Sequence, residues 1–204
     1  MSLACPTTLD VQLLRTEISG LYSRVVEQPD AEYHFHRGPA YAVEFLGYVP
    51  EELTLLPDEV TRVFAGIGNP LKMGRINPGE TVVDIGCGAG TDLFLAATQT
   101  GPAGKAIGID MTPAMLQCAS DAAERANLPQ VELRLGDATS LPLDTASVDI
   151  VISNGLLNLV PEKEAALQEM RRVLKPGGRV QIADIALSSE LSGSARTDID
   201  LWTG

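Results

Sequence analysis

The stretch Thr81-Val82-Val83-Asp84-Ile85-Gly86-Cys87-Gly88-Ala89-Gly90 constrains this chain more than any other. Val82, Val83 and Ile85 form a β-branched run of the kind found in a strand buried on both faces. Asp84 interrupts that run near the strand's carboxyl end, where a carboxylate can face a ligand. Gly86, Gly88 and Gly90 follow at alternate positions. Lacking Cβ atoms, they permit a sharp turn and let a ligand lie against backbone N–H groups. Thr91 to Ala97 reads as a helix whose N-terminus is aimed into the same crevice. Strand, turn and helix make the opening unit of a nucleotide-binding α/β sheet. A dinucleotide fingerprint G-x-G-x-x-G would put its third glycine at position 91, which is Thr91 here.

At 204 residues and 45% hydrophobic content, the chain suits one large domain, or a domain with a cap, around a real core. A net charge of −12 argues against nucleic acid as the main partner, because phosphate binding needs a basic surface. No apolar run precedes Arg15 and none is long enough to span a bilayer, so neither a signal peptide nor a membrane partner is expected. Cys5, Cys87 and Cys118 lie far apart, which suggests reduced thiols and a cytoplasmic location.

From about Thr8 to Glu27, Val11, Leu14, Ile18, Leu21 and Val25 recur at steps of three and four, the pattern of an amphipathic helix. Two short helices are expected around Pro39–Leu46 and Pro57–Ala65, with the prolines in their first turns. Residues 1 to about 75 read as a helical cap, and residues 76–204 as the ligand-binding domain. There the alternation is regular, with strands at Val82–Ile85, Ala106–Asp110, Val131–Leu135, Val148–Ile152 and Arg179–Asp184. A helix capped by Thr112 runs to about Asn127, and another runs from Pro161 to Leu174 and stops at Pro176-Gly177-Gly178. Such alternation implies parallel strands with right-handed crossovers. Three further strands end in an acid or an amide, at Asp110, Asp137 and Asn154. Ligands in such sheets bind beyond the carboxyl strand ends, so these residues converge on one crevice.

These stretches, with Gly108-Ile109-Asp110-Met111-Thr112, Ile152-Ser153-Asn154-Gly155-Leu156-Leu157-Asn158-Leu159-Val160-Pro161 and Val173-Leu174-Lys175-Pro176-Gly177-Gly178, resemble motifs of the class I S-adenosylmethionine (SAM)-dependent methyltransferases. G-I-D-M-T and I-S-N-x-x-x-N-L-V-P resemble the arsenite methyltransferase branch in particular. The resemblance implies a Rossmann-like parallel sheet and SAM as cofactor. It implies that the backbone at Gly86, Gly88 and Gly90 holds the amino-acid part of SAM; Cys87 sits inside that cofactor turn as a small apolar residue, and Asp84 either supports the turn or contacts the cofactor indirectly. Asp110 would accept the ribose hydroxyls, Met111 would pack on adenine, Asp137 and Ala138 would meet the adenine edge, and Asn154 would line the methyl-transfer face. A carboxylate's two acceptor oxygens suit a vicinal diol.

The chain departs from the arsenite branch where arsenic is bound. Trivalent arsenic is a soft ion that takes thiolate ligands, and that branch carries cysteines at the positions of Ile67 and Gly155 and just past Leu201-Trp202. The resemblance therefore supports the cofactor more than arsenite, and a small-molecule acceptor is expected. The branch's sheet usually closes with two further strands that this sequence does not show. The fifth strand is then an exposed edge, read as a sign of a fragment or of a covering second copy. His34 and His36, in Tyr33-His34-Phe35-His36-Arg37, are weak catalytic candidates alongside Asn154, and two histidines without carboxylate or cysteine partners make no metal site. Cys118 is read as core. Alternative readings are an NAD-dependent oxidoreductase and a non-catalytic SAM-binding or interaction protein.

Overall fold

The computed structural model describes residues 9–186 and Trp202. Helix α1 (Val11–Glu27) starts at Asp10, whose side chain accepts the Leu13 N–H at 3.0 Å, satisfying one of the helix's orphan donors. Its buried stripe is Leu14, Ile18, Leu21 and Val25. Two short helices are expected next and three are found: α2 (Pro39–Glu44), α3 (Pro50–Leu53) and α4 (Asp58–Arg62). Pro39 and Pro50 occupy first-turn positions, whereas Pro57 sits one residue earlier, at the cap of α4.

The regular alternation then runs β1 (Thr81–Ile85), α5 (Thr91–Thr100), β2 (Lys105–Asp110), α6 (Pro113–Arg125), β3 (Val131–Leu135), β4 (Val148–Asn154), α7 (Lys163–Val173) and β5 (Leu174–Ala183). One boundary differs from expectation. Helix α7 passes directly into β5 at Leu174, and Pro176-Gly177-Gly178 falls within the strand's span. The β4–β5 register explains this, jumping from Val148 opposite Leu174 to Ile150 opposite Arg179. The intervening residues bulge out of the ladder, and two glycines and a proline suit a bulge.

The strands form one parallel five-stranded sheet in the order β3-β2-β1-β4-β5. Val83, Ile85, Ile107, Ile109 and Val151 pack on one face against Ala166, Met170 and Val173 of α7. Val82, Ile150 and Ile152 pack on the other against Ala96 of α5. Both faces are covered, and β1 and β4 are accordingly buried along most of their length. At the β1 entrance, Arg179 of β5 donates to both oxygens of Glu80 at 2.8 and 2.9 Å, and Glu80 also accepts the Asn77 N–H. Among the described residues no helix is long and apolar enough to cross a membrane.

Because β2 and β3 lie on one side of β1 and β4 and β5 on the other, chain direction across the sheet reverses at β1. The crevice beyond the carboxyl ends at that reversal is where such sheets hold ligands.

Candidate functional site

A cavity of about 1130 Å³, measured out to open solvent, occupies that crevice. Asp84, Gly86, Cys87, Gly88, Gly90, Asp110, Met111, Asp137, Ala138 and Asn154 all line it. So do Arg15, Ile18 and Tyr22 of α1 and Val60, Phe64 and Gly66 from the segment around α4.

The glycine turn is locked to β2. The amides of Gly86 and Cys87 both donate to the Ile109 carbonyl, at 2.8 and 3.1 Å. Gly88 N–H donates to Asp110 Oδ2 at 2.9 Å, and Gly90 N–H to the Cys87 carbonyl at 2.9 Å. These four amides, expected from the sequence to face a ligand, have partners within the protein. The glycines instead allow close approach: a Cβ at Gly88 would project toward open space, its nearest neighbour being Met115 Sδ at 3.8 Å. Gly90 holds the left-handed conformation (φ +99°) at the entry of α5, against the Phe94 ring.

Asp110 ends β2 and accepts Gly88 N–H on one oxygen and Thr112 N–H on the other, at 2.9 and 2.8 Å. Thr112 thus caps α6 by position, making no side-chain bond to the helix. Burial pushes the Asp110 carboxyl up, opposed by those N–H donors. The Thr112 hydroxyl and the Met111 amide stabilise the same carboxylate, which lines the cavity. Tyr22 stands near it, its phenol pushed up to about 12 by burial and by the Asp110 charge. Asp137 is held by Thr139 N–H at 2.8 Å and by Arg15 Nε at 2.8 Å, and Arg15 also reaches Glu162 at 3.5 Å. Arg15 and Tyr22 bring α1 across the β2–β3 side of the cavity. Neither stood out in the sequence, whose signal over this helix is its apolar stripe.

On the β4 side Asn154 is the centre of a polar cluster. Its Oδ1 accepts Ile67 N–H and Gly68 N–H at 2.8 and 3.1 Å. Its Nδ2 faces the Gly68 carbonyl, Asp92 Oδ2 and Tyr48 Oη at 2.8, 3.0 and 3.1 Å. Tyr48 donates to Asp92 Oδ1 at 2.6 Å. Burial raises the Asp92 carboxyl to about 6, against the stabilising bonds from Tyr48 and Asn154. Burial also drives Tyr48 and Asp84 upward, Tyr48 further through Asp92 and Asp84 through Asp92 and Asp110. Asp184, just past β5, accepts Leu157 N–H and Asn158 N–H at 2.6 and 3.0 Å and shapes the loop after β4.

His34 and His36 are not in the cavity lining. His34 meets Phe35 edge-on and His36 stacks on Tyr41 and Phe45. Cys87 is buried in the turn, and burial raises its thiol. Cys118, expected in the core, is half-buried against the Glu59 carbonyl. Cys5 lies outside the described residues.

The geometry fits a nucleoside with a cationic tail. Asp110 suits the diol, the glycine turn admits close contact, and Asp84, Asp92 and Asp110 gather three carboxyls at the cleft, whose charged forms a cationic ligand would favour. A Rossmann-like sheet with these strand ends defines the class I SAM-dependent methyltransferases. A methyltransferase domain model matches residues 76–202. An arsenite methyltransferase of Halobacterium salinarum is 42% identical over 161 residues, 79% of this chain and 41% of that protein. The demethylmenaquinone methyltransferase of Listeria welshimeri is 38% identical over 115 residues, 56% of this chain and 48% of that protein. An arsenic(III) SAM methyltransferase structure from Chlamydomonas reinhardtii aligns with TM-score 0.68 and 33% identity, covering 81% of this chain and 55% of that one. The chain belongs to the methyltransferase domain family, resembles its arsenite branch, and has SAM as the cofactor of its class. It spans about half the length, or less, of these curated relatives.

Proposed function

We propose that this chain carries out SAM-dependent methyl transfer to a small-molecule acceptor. The observation that carries the reading is the buried Asp110 carboxylate, joined to the glycine turn through Gly88 and to α6 through Thr112, in the wall of the cavity. In this reading Asp110 holds the ribose and Met111, Asp137 and Ala138 frame the adenine. Asp84, Gly86, Cys87, Gly88 and Gly90 surround the amino-acid part, and Asn154 bounds the methyl-transfer face. When bound, SAM supplies a methyl group on a sulfonium, open to in-line displacement. The residues' share is positioning, negative potential and exclusion of water.

Residues 1–75 act as a cap in this proposal, supported by the α1 side chains in the cavity wall and by a family match that begins at residue 76. The arsenite and demethylmenaquinone methyltransferases among the relatives suggest soft or carbon nucleophiles. The missing thiols at Ile67 and Gly155 favour an acceptor other than arsenite. A cytoplasmic location, no nucleic-acid partner and self-association complete the proposal.

The test is calorimetric titration of the chain with S-adenosylhomocysteine (SAH) and, separately, with NAD. Saturable binding of SAH alone is expected. Binding of NAD alone, or of neither, would overturn the reading.

A further inference from the structure

We propose that the acceptor side of this cavity is an apolar slot without a general base, held in shape by Asn154, Asp92 and Tyr48 as positioning residues. The inference rests on the methyl-transfer reading and adds the acceptor's chemical class. The β2–β3 side carries Asp110 and Asp137, which leaves the β4 side, around Asn154 and Gly155, for the acceptor.

The polar side chains of Asn154, Asp92 and Thr91 on that side are already engaged, and the Asp84 carboxyl takes the Leu93 N–H. Asn154 Oδ1 takes two backbone amides, and its Nδ2 faces three oxygens. Asp92 accepts from Tyr48 and Asn154, and Thr91 Oγ1 donates to the Val60 carbonyl at 3.2 Å. A buried carboxylate with a partner on each oxygen is poorly placed to take a proton from an acceptor, since doing so disrupts both bonds.

What these bonds hold is the loop from Gly66 to Gly68, laid directly on the sheet ends. A Cβ at Gly66 would lie 2.3 Å from Asn154 Nδ2, and one at Gly68 would lie 2.6 Å from Ala183 Cβ. Neither position has room for a side chain. Ile67, between them, covers Gly155, where a Cβ would meet the Ile67 side chain at 3.5 Å. With Phe64, Ala65 and Leu156 in the cavity lining, hydrocarbon fills the surface between the engaged side chains of Thr91, Asp92 and Asn154. The matching substrate is an apolar molecule whose nucleophile carries an available electron pair, such as a soft heteroatom or an electron-rich ring carbon. Its electron pair forms the new bond to the methyl carbon, the pair of the broken bond stays on sulfur, and any surplus proton leaves to solvent.

The test titrates 2-naphthol and 2-naphthoate, matched in ring and different in charge, by fluorescence into the full chain saturated with SAH. Saturable 2-naphthol binding is expected, with 2-naphthoate at least tenfold weaker beside Asp84 and Asp92. Leu156→Asp, at a half-buried site in the cavity wall, should weaken 2-naphthol at least tenfold. Asn154→Ala and Tyr48→Phe should also weaken it and raise amide hydrogen exchange at Ile67 and Gly68. Asn154→Asp keeps the acceptor oxygen and should restore that protection at pH 5 but not at pH 8. At pH 5 the new carboxyl can share a proton with Asp92, with Asp84 and Tyr48 the other titratable groups facing them. Equal or tighter 2-naphthoate binding, no 2-naphthol binding to the SAH complex, or an Asn154→Ala variant unchanged in both readouts would overturn the slot. Failure of the unmodified chain to bind SAH would instead overturn the underlying reading.

Discussion

Gly88 and Asp110 are joined by a 2.9 Å hydrogen bond from amide to carboxylate, and this bond fixes the glycine turn of β1 against the end of β2. The same carboxylate takes the Thr112 amide, so one side chain positions both the turn and the start of α6. Replacing it removes two local bonds and the proposed partner of a ribose diol. Asp110→Ala should weaken SAH binding by roughly ten- to a hundredfold, as expected for the loss of hydrogen bonds worth ~1.5–3 kcal/mol to a charged group. Circular dichroism should show a folded protein. Unchanged affinity by calorimetry would remove the ribose from this position.

Gly90 and Gly101 bracket α5, both with positive φ, at +99° and +67°. A Cβ at Gly101 meets nothing within 4 Å, whereas one at Gly90 lies 3.0 Å from the Phe94 ring. Gly101, at φ +67° and ψ −175°, lies in a region open essentially to glycine alone, so Gly101→Ala carries a backbone cost of ~1–3 kcal/mol with no packing cost. Gly90→Ala should add an overpacking cost of ~1–3 kcal/mol to the left-handed backbone cost of ~1–2 kcal/mol, because Phe94 is fully buried and cannot move freely. Urea unfolding of Gly90→Ala measures the sum, and a loss no larger than the ~1–2 kcal/mol backbone cost would contradict the packing argument.

The strand ends were legible in the sequence because β-branched runs and the residues that interrupt them are local signals. Asp84, Asp110, Asp137 and Asn154 each sit where such a run stops, and all four reach one cavity. The Tyr48–Asp92–Asn154 cluster left no local trace. Its members are separated by 44, 62 and 106 positions, and Asp92 by itself looks like an ordinary first-turn acid on a helix. Burial changed its meaning. The glycine turn shows the opposite case: the spacing located the site, yet only the three-dimensional register reveals that the Ile109 carbonyl takes two of the turn's amides. The β4–β5 bulge was hidden because Pro176-Gly177-Gly178 reads equally well as a helix stop.

Glu80 links the entrance of β1 to β5 through Arg179, and this link should govern part of the acid stability. The Arg179 hydrogen bonds lower the Glu80 carboxyl to about 2 against a cost of burial. A carboxyl depressed in the folded state stabilises it above the unfolded value, near 4.5, and that stability is lost as pH falls toward 2. Because the pair is partly exposed, its contribution is about 1 kcal/mol. Arg179→Met should lower the urea midpoint at pH 7 and flatten the pH dependence between about pH 4.5 and 2. Parallel curves for the two proteins over that window would show that the ion pair contributes nothing.

Arsenite provides the sharpest test of acceptor chemistry, because trivalent arsenic requires soft ligands arranged around one point. Positions 67 and 155 do come together: a Cβ at Gly155 would touch the Ile67 side chain at 3.5 Å. They bring hydrocarbon and hydrogen to that point in place of sulfur. Cys87 is buried within the glycine turn and its thiol is held protonated by burial and by the charges of Asp110 and Asp84. Cys118 packs between α6 and α4 against the Glu59 carbonyl and is absent from the cavity lining. Incubation with SAM, arsenite and a thiol reductant should therefore yield no SAH above the arsenite-free rate, and chromatography should detect no methylated arsenic. Arsenite-dependent methylation would mean that thiolates reach the cavity from elsewhere in the chain, and the apolar reading of the acceptor side would fall with it.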